Sequence, residues 1–223
     1  MIVDYKQIHP NRPDFEIPSN KLLFLIERSF IETVPAFLDS LLPDLNEPQY
    51  AQEFVAELER TLRVMGIPLC VGREYSDIYT EGANKRRAVD FYFYPAEQGI
   101  SRRSLFSVEA KRLPTPGSDR EKEYVSGSGG GLERFKREEH GKDLSNCGML
   151  AFVEKQDFPH WYKVINSWIT DKSVSGLWSI EECLVNLTAN ATWAKSSSIV
   201  KRGKSSSDLN LIHFWIDLQK QNM

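Results

Sequence analysis

Residues 87–113, RAVDFYFYPAEQGISRRSLFSVEAKRL, contain two runs of alternating character on either side of a turn-rich loop. Alternation with a period of two marks a strand with unlike sides. The loop PAEQGISRR supplies the proline, glycine and serine residues that reverse a chain. In an antiparallel hairpin, facing residues have position numbers of constant sum. Pairing Asp90 with Glu109 gives 199 and puts the turn centre between Gly99 and Ile100, inside that loop. Facing residues have Cβ atoms about 5 Å apart, close enough for one cation to bridge two carboxylates. The same alternation puts Glu109 and Lys111 on one side of their strand and Val108 and Ala110 on the other. On the preceding strand it separates Asp90 and Tyr92 from Val89, Phe91 and Phe93. One side is apolar, and the other carries the charges.

Two carboxylates and a lysine on one sheet face are the minimal equipment for metal-assisted phosphodiester hydrolysis. Mg²⁺ is a hard cation that keeps several waters and takes one or two protein carboxylates. Asp90 and Glu109 are the candidate ligands, with the Ala110 carbonyl as a further one. The cation lowers the pKa of a bound water and neutralises charge on the scissile phosphate. Lys111, on the same face, is the candidate for orienting that water or stabilising the developing charge. The competing reading is an exposed strand face closed by a cross-strand salt bridge. Glu109-Ala110-Lys111 is the sole Glu-x-Lys triplet in the chain.

On the N-terminal side of the hairpin, residues 1–20 are proline-punctuated and read as an extended arm. Apolar residues recur at helical spacing from Lys21 to Leu45, with Pro35 expected to kink or divide the helix. Pro48 to Gly66 is the clearest amphipathic helix, with Ala51, Phe54, Val55, Leu58, Leu62 and Met65 on one stripe and Gly66 as its stop. Ile67–Glu74, Arg87–Tyr94 and Ser104–Leu113 read as a three-stranded antiparallel meander. On the C-terminal side, a glycine-serine stretch precedes a short helical run, LERFKREEHG. Asn146–Glu154 reads as a buried strand, followed by a helix from Pro159 to about Asp171. The tail suggests a short helix at Ser179–Leu187 and strands at Thr192–Lys201 and Asn210–Leu218. The spread of the five tryptophans through these patterns points to core packing.

At 223 residues and 41% hydrophobic content, the chain suits one buried core. The expected organisation is an arm and helix over 1–47 packed on a domain spanning 48–223. The net charge of −3 argues against a protein that coats nucleic acid through bulk electrostatics. Residues 83–143 nevertheless hold 13 Lys or Arg against 10 Asp or Glu, a local basic patch. The three cysteines are scattered and lack Cys-x-x-Cys spacing, which disfavours a disulfide framework or zinc ribbon. With no run of 18 apolar residues and no signal-like N-terminus, a cytoplasmic protein without membrane contact is expected.

These residues resemble the PD-(D/E)XK, or restriction-endonuclease-like, nuclease superfamily over roughly residues 48–155. The resemblance implies an α/β fold with a core of helix, three antiparallel strands, helix and strand, here with an N-terminal helical extension and C-terminal strands. It implies Asp90, Glu109 and Lys111 as the catalytic triplet. The chain departs from the motif in having Val89 where many members have proline. Some relatives add a glutamate from the first core helix as a metal ligand. Glu57, at the edge of the apolar stripe, fits that role better than Glu53, although a solvated helix face suits both. The segment YVSGSGGGLERFKREEHG (124–141) is similar to a motif that follows Glu-x-Lys in some relatives. There Gly129, Gly130, Gly131, Arg134, Lys136 and His140 are candidates for holding a nucleic-acid backbone at a helix N-terminus. Arg86, Arg87 and Arg112 are further basic candidates beside the strands.

The expected function is therefore a Mg²⁺-dependent nuclease, with Mn²⁺ able to substitute, acting on DNA ahead of RNA in a bacterial restriction or anti-phage setting. A homodimer or a larger defence complex is the expected assembly. The alternative is a non-catalytic nucleic-acid-binding or assembly module that keeps the nuclease fold.

Overall fold

The computed structural model describes residues 17–75, 88–117, 120–127, 129–203 and 207–219. Helix α1 (Ser19–Ser40) buries Leu22, Ile26, Phe30, Val34 and Phe37, a stripe of three- and four-residue steps. It runs through Pro35 rather than dividing there. Helix α2 (Glu47–Val64) starts at a capping box in which the Asn46 and Gln49 side chains each accept the other's backbone N–H. It ends before Gly66, whose φ of 64° suits a glycine C-terminal stop.

Strands β1 (Leu69–Tyr75), β2 (Val89–Pro95) and β3 (Phe106–Leu113) form the antiparallel meander. The β2–β3 register pairs Phe91 with Val108, Tyr92 with Ser107 and Phe93 with Phe106, and each pair keeps the sum of 199. After helix α3 (Gly131–Lys136), strand β4 (Asn146–Val153) lies parallel to β3. Helix α4 (Phe158–Ser173) follows, starting at Asp157, whose side chain accepts the His160 N–H at 2.8 Å.

The sheet does not stop at β4. Strands β5 (Val185–Ala189), β6 (Trp193–Val200) and β7 (Leu209–Asp217) extend it to seven strands in the order β1-β2-β3-β4-β7-β6-β5. β4 and β7 are parallel, while β6 runs antiparallel to β7 and β5 antiparallel to β6. The sheet is thus larger than the four-stranded core expected from the sequence. The tail expectation also needs correction at Ser179–Leu187. A capping box between Ser179 and Glu182 closes a single 3₁₀ turn, Ile180–Glu182, and the chain then extends into edge strand β5. Most β5 residues are exposed, so no inward-outward alternation marked the strand in the sequence.

The sheet separates two cores. Helices α1 and α2 cover one face, where Phe30, Phe54, Phe91, Phe93, Val108, Ala110, Phe152 and Phe214 pack together. Helices α3 and α4 cover the other, over Leu132, Phe135, Met149, Ala151, Trp161, Ile165 and Trp215. Burial on both faces explains why β4 and most of β7 are apolar almost throughout. No helix among the described residues is long and apolar enough to cross a membrane.

Candidate active site

The β2–β3 ladder runs as far as Phe91, and at Asp90 a side chain meets the β3 backbone. The Ala110 N–H donates to Asp90 Oδ2 at 2.7 Å. The side chains of Glu109 and Lys111 lie on the opposite face from the buried methyl of Ala110, and both are nearly inaccessible, at 2% and 5% exposure. Lys111 Nζ donates to Glu109 Oε1 at 2.7 Å. Arg134, from α3, donates to the same oxygen at 3.1 Å. His140 Nε2 lies 3.4 Å from Glu109 Oε2.

The helix glutamate at this cluster is Glu47, which sequence reasoning did not single out. Its Oε1 is 3.5 Å from Lys111 Nζ, and its Oε2 accepts the Arg112 N–H at 2.9 Å. Glu47 occupies the first turn of α2, so the helix start places it at the end of β3. Glu57, the expected helix ligand, lies nearly three turns further along α2 and forms an ion pair with Arg60. The missed signal was local: Asn46 and Pro48 mark the helix start, and an acid in that first turn is also what a helix dipole favours.

The glycine-rich segment has a different role from the expected phosphate cradle. The N–H groups of Gly131, Leu132 and Glu133 donate to the carbonyls of Glu123, Tyr124 and Val125 at 2.8, 3.2 and 3.0 Å. Gly130 N–H donates to the Gly127 carbonyl at 3.0 Å. A Cβ on Gly130 would lie 2.5 Å from the Ser126 backbone carbonyl carbon, so that glycine permits a close chain crossing. The segment thereby carries Arg134 and His140 to Glu109.

Lys136 points elsewhere. Its Nζ donates to Glu182 Oε1 and Oε2 at 2.7 and 2.8 Å and to the Lys201 carbonyl at 3.0 Å, and it sits 5.0 Å from the Trp178 ring centre. Arg112 also faces away: it pairs with Glu154 at 2.7 Å and covers the Tyr50 ring at 5.8 Å. Arg86 and Arg87 lie outside the described residues.

The electrostatics pull the two carboxyls apart. Burial, and then the neighbouring charge of Glu109, push Asp90 up to about 7, against the opposing effects of Lys111 and the Ala110 N–H. Burial would also raise Glu109, but Lys111 and His140 outweigh it and hold the carboxyl at about 2. For Lys111, burial is outweighed by Glu109, Glu47 and Asp90, which keep the ammonium charged above the ordinary lysine range. At neutral pH a second negative charge beside Glu109 is therefore costly, which is the electrostatic setting a cation relieves.

Among the described residues, no group of three or more His, Cys, Asp and Glu side chains stands ready to hold a metal ion. Mg²⁺ asks for less, since one or two carboxylates and several waters satisfy it. Asp90 and Glu109 offer that donor set. Glu109 Oε1 is taken by Lys111 and Arg134, while Oε2 has the longer His140 contact. No protein-family model, curated protein or solved structure matches the chain significantly.

Proposed function

We propose that the protein is a metal-dependent nuclease that hydrolyses phosphodiester bonds, with a restriction-endonuclease-like core formed by α2, the β1–β2–β3 meander, α3 and β4. The observation that carries this reading is the convergence of Asp90, Glu109 and Lys111, joined through the Ala110 N–H at 2.7 Å and the Lys111–Glu109 contact at 2.7 Å. The parallel pairing of β4 with β3 after the meander supports the core assignment.

Asp90 and Glu109 would hold Mg²⁺ or Mn²⁺, with the Ala110 carbonyl as a further ligand and Glu47 replacing Glu57 as the helix acid nearby. When bound, the cation acidifies a water and neutralises charge on the scissile phosphate. Lys111 keeps its proton and faces the carboxylates, so it orients the attacking water and balances charge as the bond breaks. Arg134 is a phosphate ligand in waiting, because its guanidinium already faces the site and can exchange the Glu109 carboxylate for a phosphate oxygen. DNA is the proposed substrate ahead of RNA, within a bacterial restriction or anti-phage system, with a homodimer or larger complex bringing two sites to a duplex.

The test is cleavage of labelled duplex DNA, single-stranded DNA and RNA in Mg²⁺ or Mn²⁺. Cutting should vanish in EDTA and in Asp90→Ala or Lys111→Ala proteins that remain folded. Metal-independent cutting, or cutting that survives both substitutions, removes this site from the chemistry. Tight binding without turnover on every substrate would instead favour the non-catalytic module.

A further inference from the structure

A cavity of about 130 Å³ opens beside the candidate site, and its lining runs from buried Ser104, Ser107 and His140 to exposed Arg103 and Lys142. It therefore reaches from the interior to the surface. Two observations tie it to the chemistry. His140 lines it while its Nε2 stands 3.4 Å from Glu109 Oε2. Ser107 precedes Glu109 by two residues on the same side of β3, about 7 Å along the strand. Whatever enters the cavity lies within one nucleotide of a phosphate held at Glu109.

The size and lining distinguish between occupants. An apolar cavity of about 150 Å³ accommodates one benzene molecule, so this one matches a single aromatic ring, and a lone phosphate would leave much of it unfilled. Val89 and Leu144 provide apolar walls. The Ser104 and Ser107 hydroxyls, 2.9 Å apart and both buried, can donate or accept at the edge of a ring. Toward the exposed end Arg103 and Lys142 can meet the sugar-phosphate chain from which such a ring would hang, while Glu139, paired with Arg137, and exposed Asp143 line the same cavity and leave it without a net basic charge.

Resting on the nuclease reading above, we propose that this cavity receives one nucleobase of the substrate strand next to the scissile phosphate, read at its edge by Ser104 and Ser107. The site then senses the identity or presence of a base as well as the backbone. Seating the base also requires taking it out of its stack, which costs least in single-stranded, mismatched or distorted substrates.

The experiment walks a single abasic residue through a labelled oligonucleotide and measures the Mn²⁺-dependent cleavage rate at each placement. The wild-type protein should lose about tenfold at one position flanking the cut and little elsewhere, the size expected for one seated base. A Ser104→Ala/Ser107→Ala protein removes both partners of their mutual hydrogen bond, so neither is left unpaired. It should cut the abasic substrate at the wild-type rate while its dependence on base identity at that position flattens. A flat abasic profile in the wild-type protein overturns the pocket assignment and leaves metal-dependent cleavage standing. A dependence on base identity at that position that persists unchanged in the double variant also overturns it. Absence of metal-dependent cleavage on intact oligonucleotides removes the functional reading itself and the pocket with it. If the double variant does not fold, the wild-type profile and its dependence on base identity decide alone.

Discussion

The Ala110 N–H donates to Asp90 Oδ2 at 2.7 Å, so the residue between Glu109 and Lys111 fixes the first acid of the site with its backbone. One strand thus presents all three charged groups, two through side chains and one through a main-chain hydrogen bond. The side chain of residue 110 points into the α1–α2 core, which leaves its backbone free to orient the carboxylate. The placement of Asp90 therefore depends on the β3 backbone.

Asp90 should destabilise the metal-free fold. Its folded pKa is raised to about 7, so between the ordinary value near 4 and about 7 the folded state binds more protons than the unfolded state. Stability then falls as pH rises through that window. Asp90→Asn, which can still accept the Ala110 N–H, should stabilise the EDTA-treated protein by about 2 kcal/mol at pH 8 and by much less at pH 4. Urea unfolding at the two pH values checks it, and an equal effect at both would remove the proposed charge conflict.

Glu47 and Glu57 separate cleanly by substitution. Glu47→Gln should raise the Mg²⁺ concentration needed for half-maximal cleavage by about tenfold, the lower end for a group supporting metal ligands. Glu57→Ala should leave it within about threefold, because Glu57 pairs with Arg60 rather than with the site. A metal titration of cleavage rate measures both.

Lys136 is predicted to matter for stability and not for substrate. Its partner Glu182 has a side chain only 1% exposed, so Lys136→Met would leave a buried carboxylate without its counter-ion, held only by the Ser179 and Lys201 N–H groups. The expected cost is about 3 kcal/mol. DNA affinity of the folded fraction should be unchanged, and a selective loss of affinity would restore Lys136 to the interface.

His213 predicts an acid weakness. It is fully buried between the Tyr124 hydroxyl at 2.7 Å and the Ser198 hydroxyl at 2.9 Å, and burial lowers its pKa to about 3. Below the ordinary value near 6.5 the unfolded chain gains the proton first, so stability should fall from about pH 6.5 towards 3. Tyr124→Phe should cost about 1–3 kcal/mol at pH 7, because the Trp215 N–H and His213 each lose a partner. Denaturant midpoints across pH measure both effects.

Much of the site was legible because a hairpin register is arithmetic. The sum of 199 linked Asp90 to Glu109, and the observed Phe91–Val108 pair has the same sum. Helix α2 and strand β4 were legible for a related reason, since each shows one period or one unbroken apolar run. Edge strand β5 was not, because most of its residues face solvent and its pairing with β6 is set by the neighbour. Glu47 and Glu57 differ by ten positions on one helix, and only the way α2 crosses the end of β3 chooses between them. The glycines of 127–131 resembled a phosphate loop, yet three N–H groups at the α3 start are satisfied by residues 123–125, a pairing local patterns do not reveal.

The most direct measurement is the anomalous difference map of a crystal soaked in Mn²⁺. The proposed chemistry requires a peak bonded to a carboxylate oxygen of both Asp90 and Glu109 at about 2.1–2.2 Å, with Lys111 within reach of its water shell. A map in which Mn²⁺ binds elsewhere while Lys111, Arg134 and His140 still enclose Glu109 would contradict it.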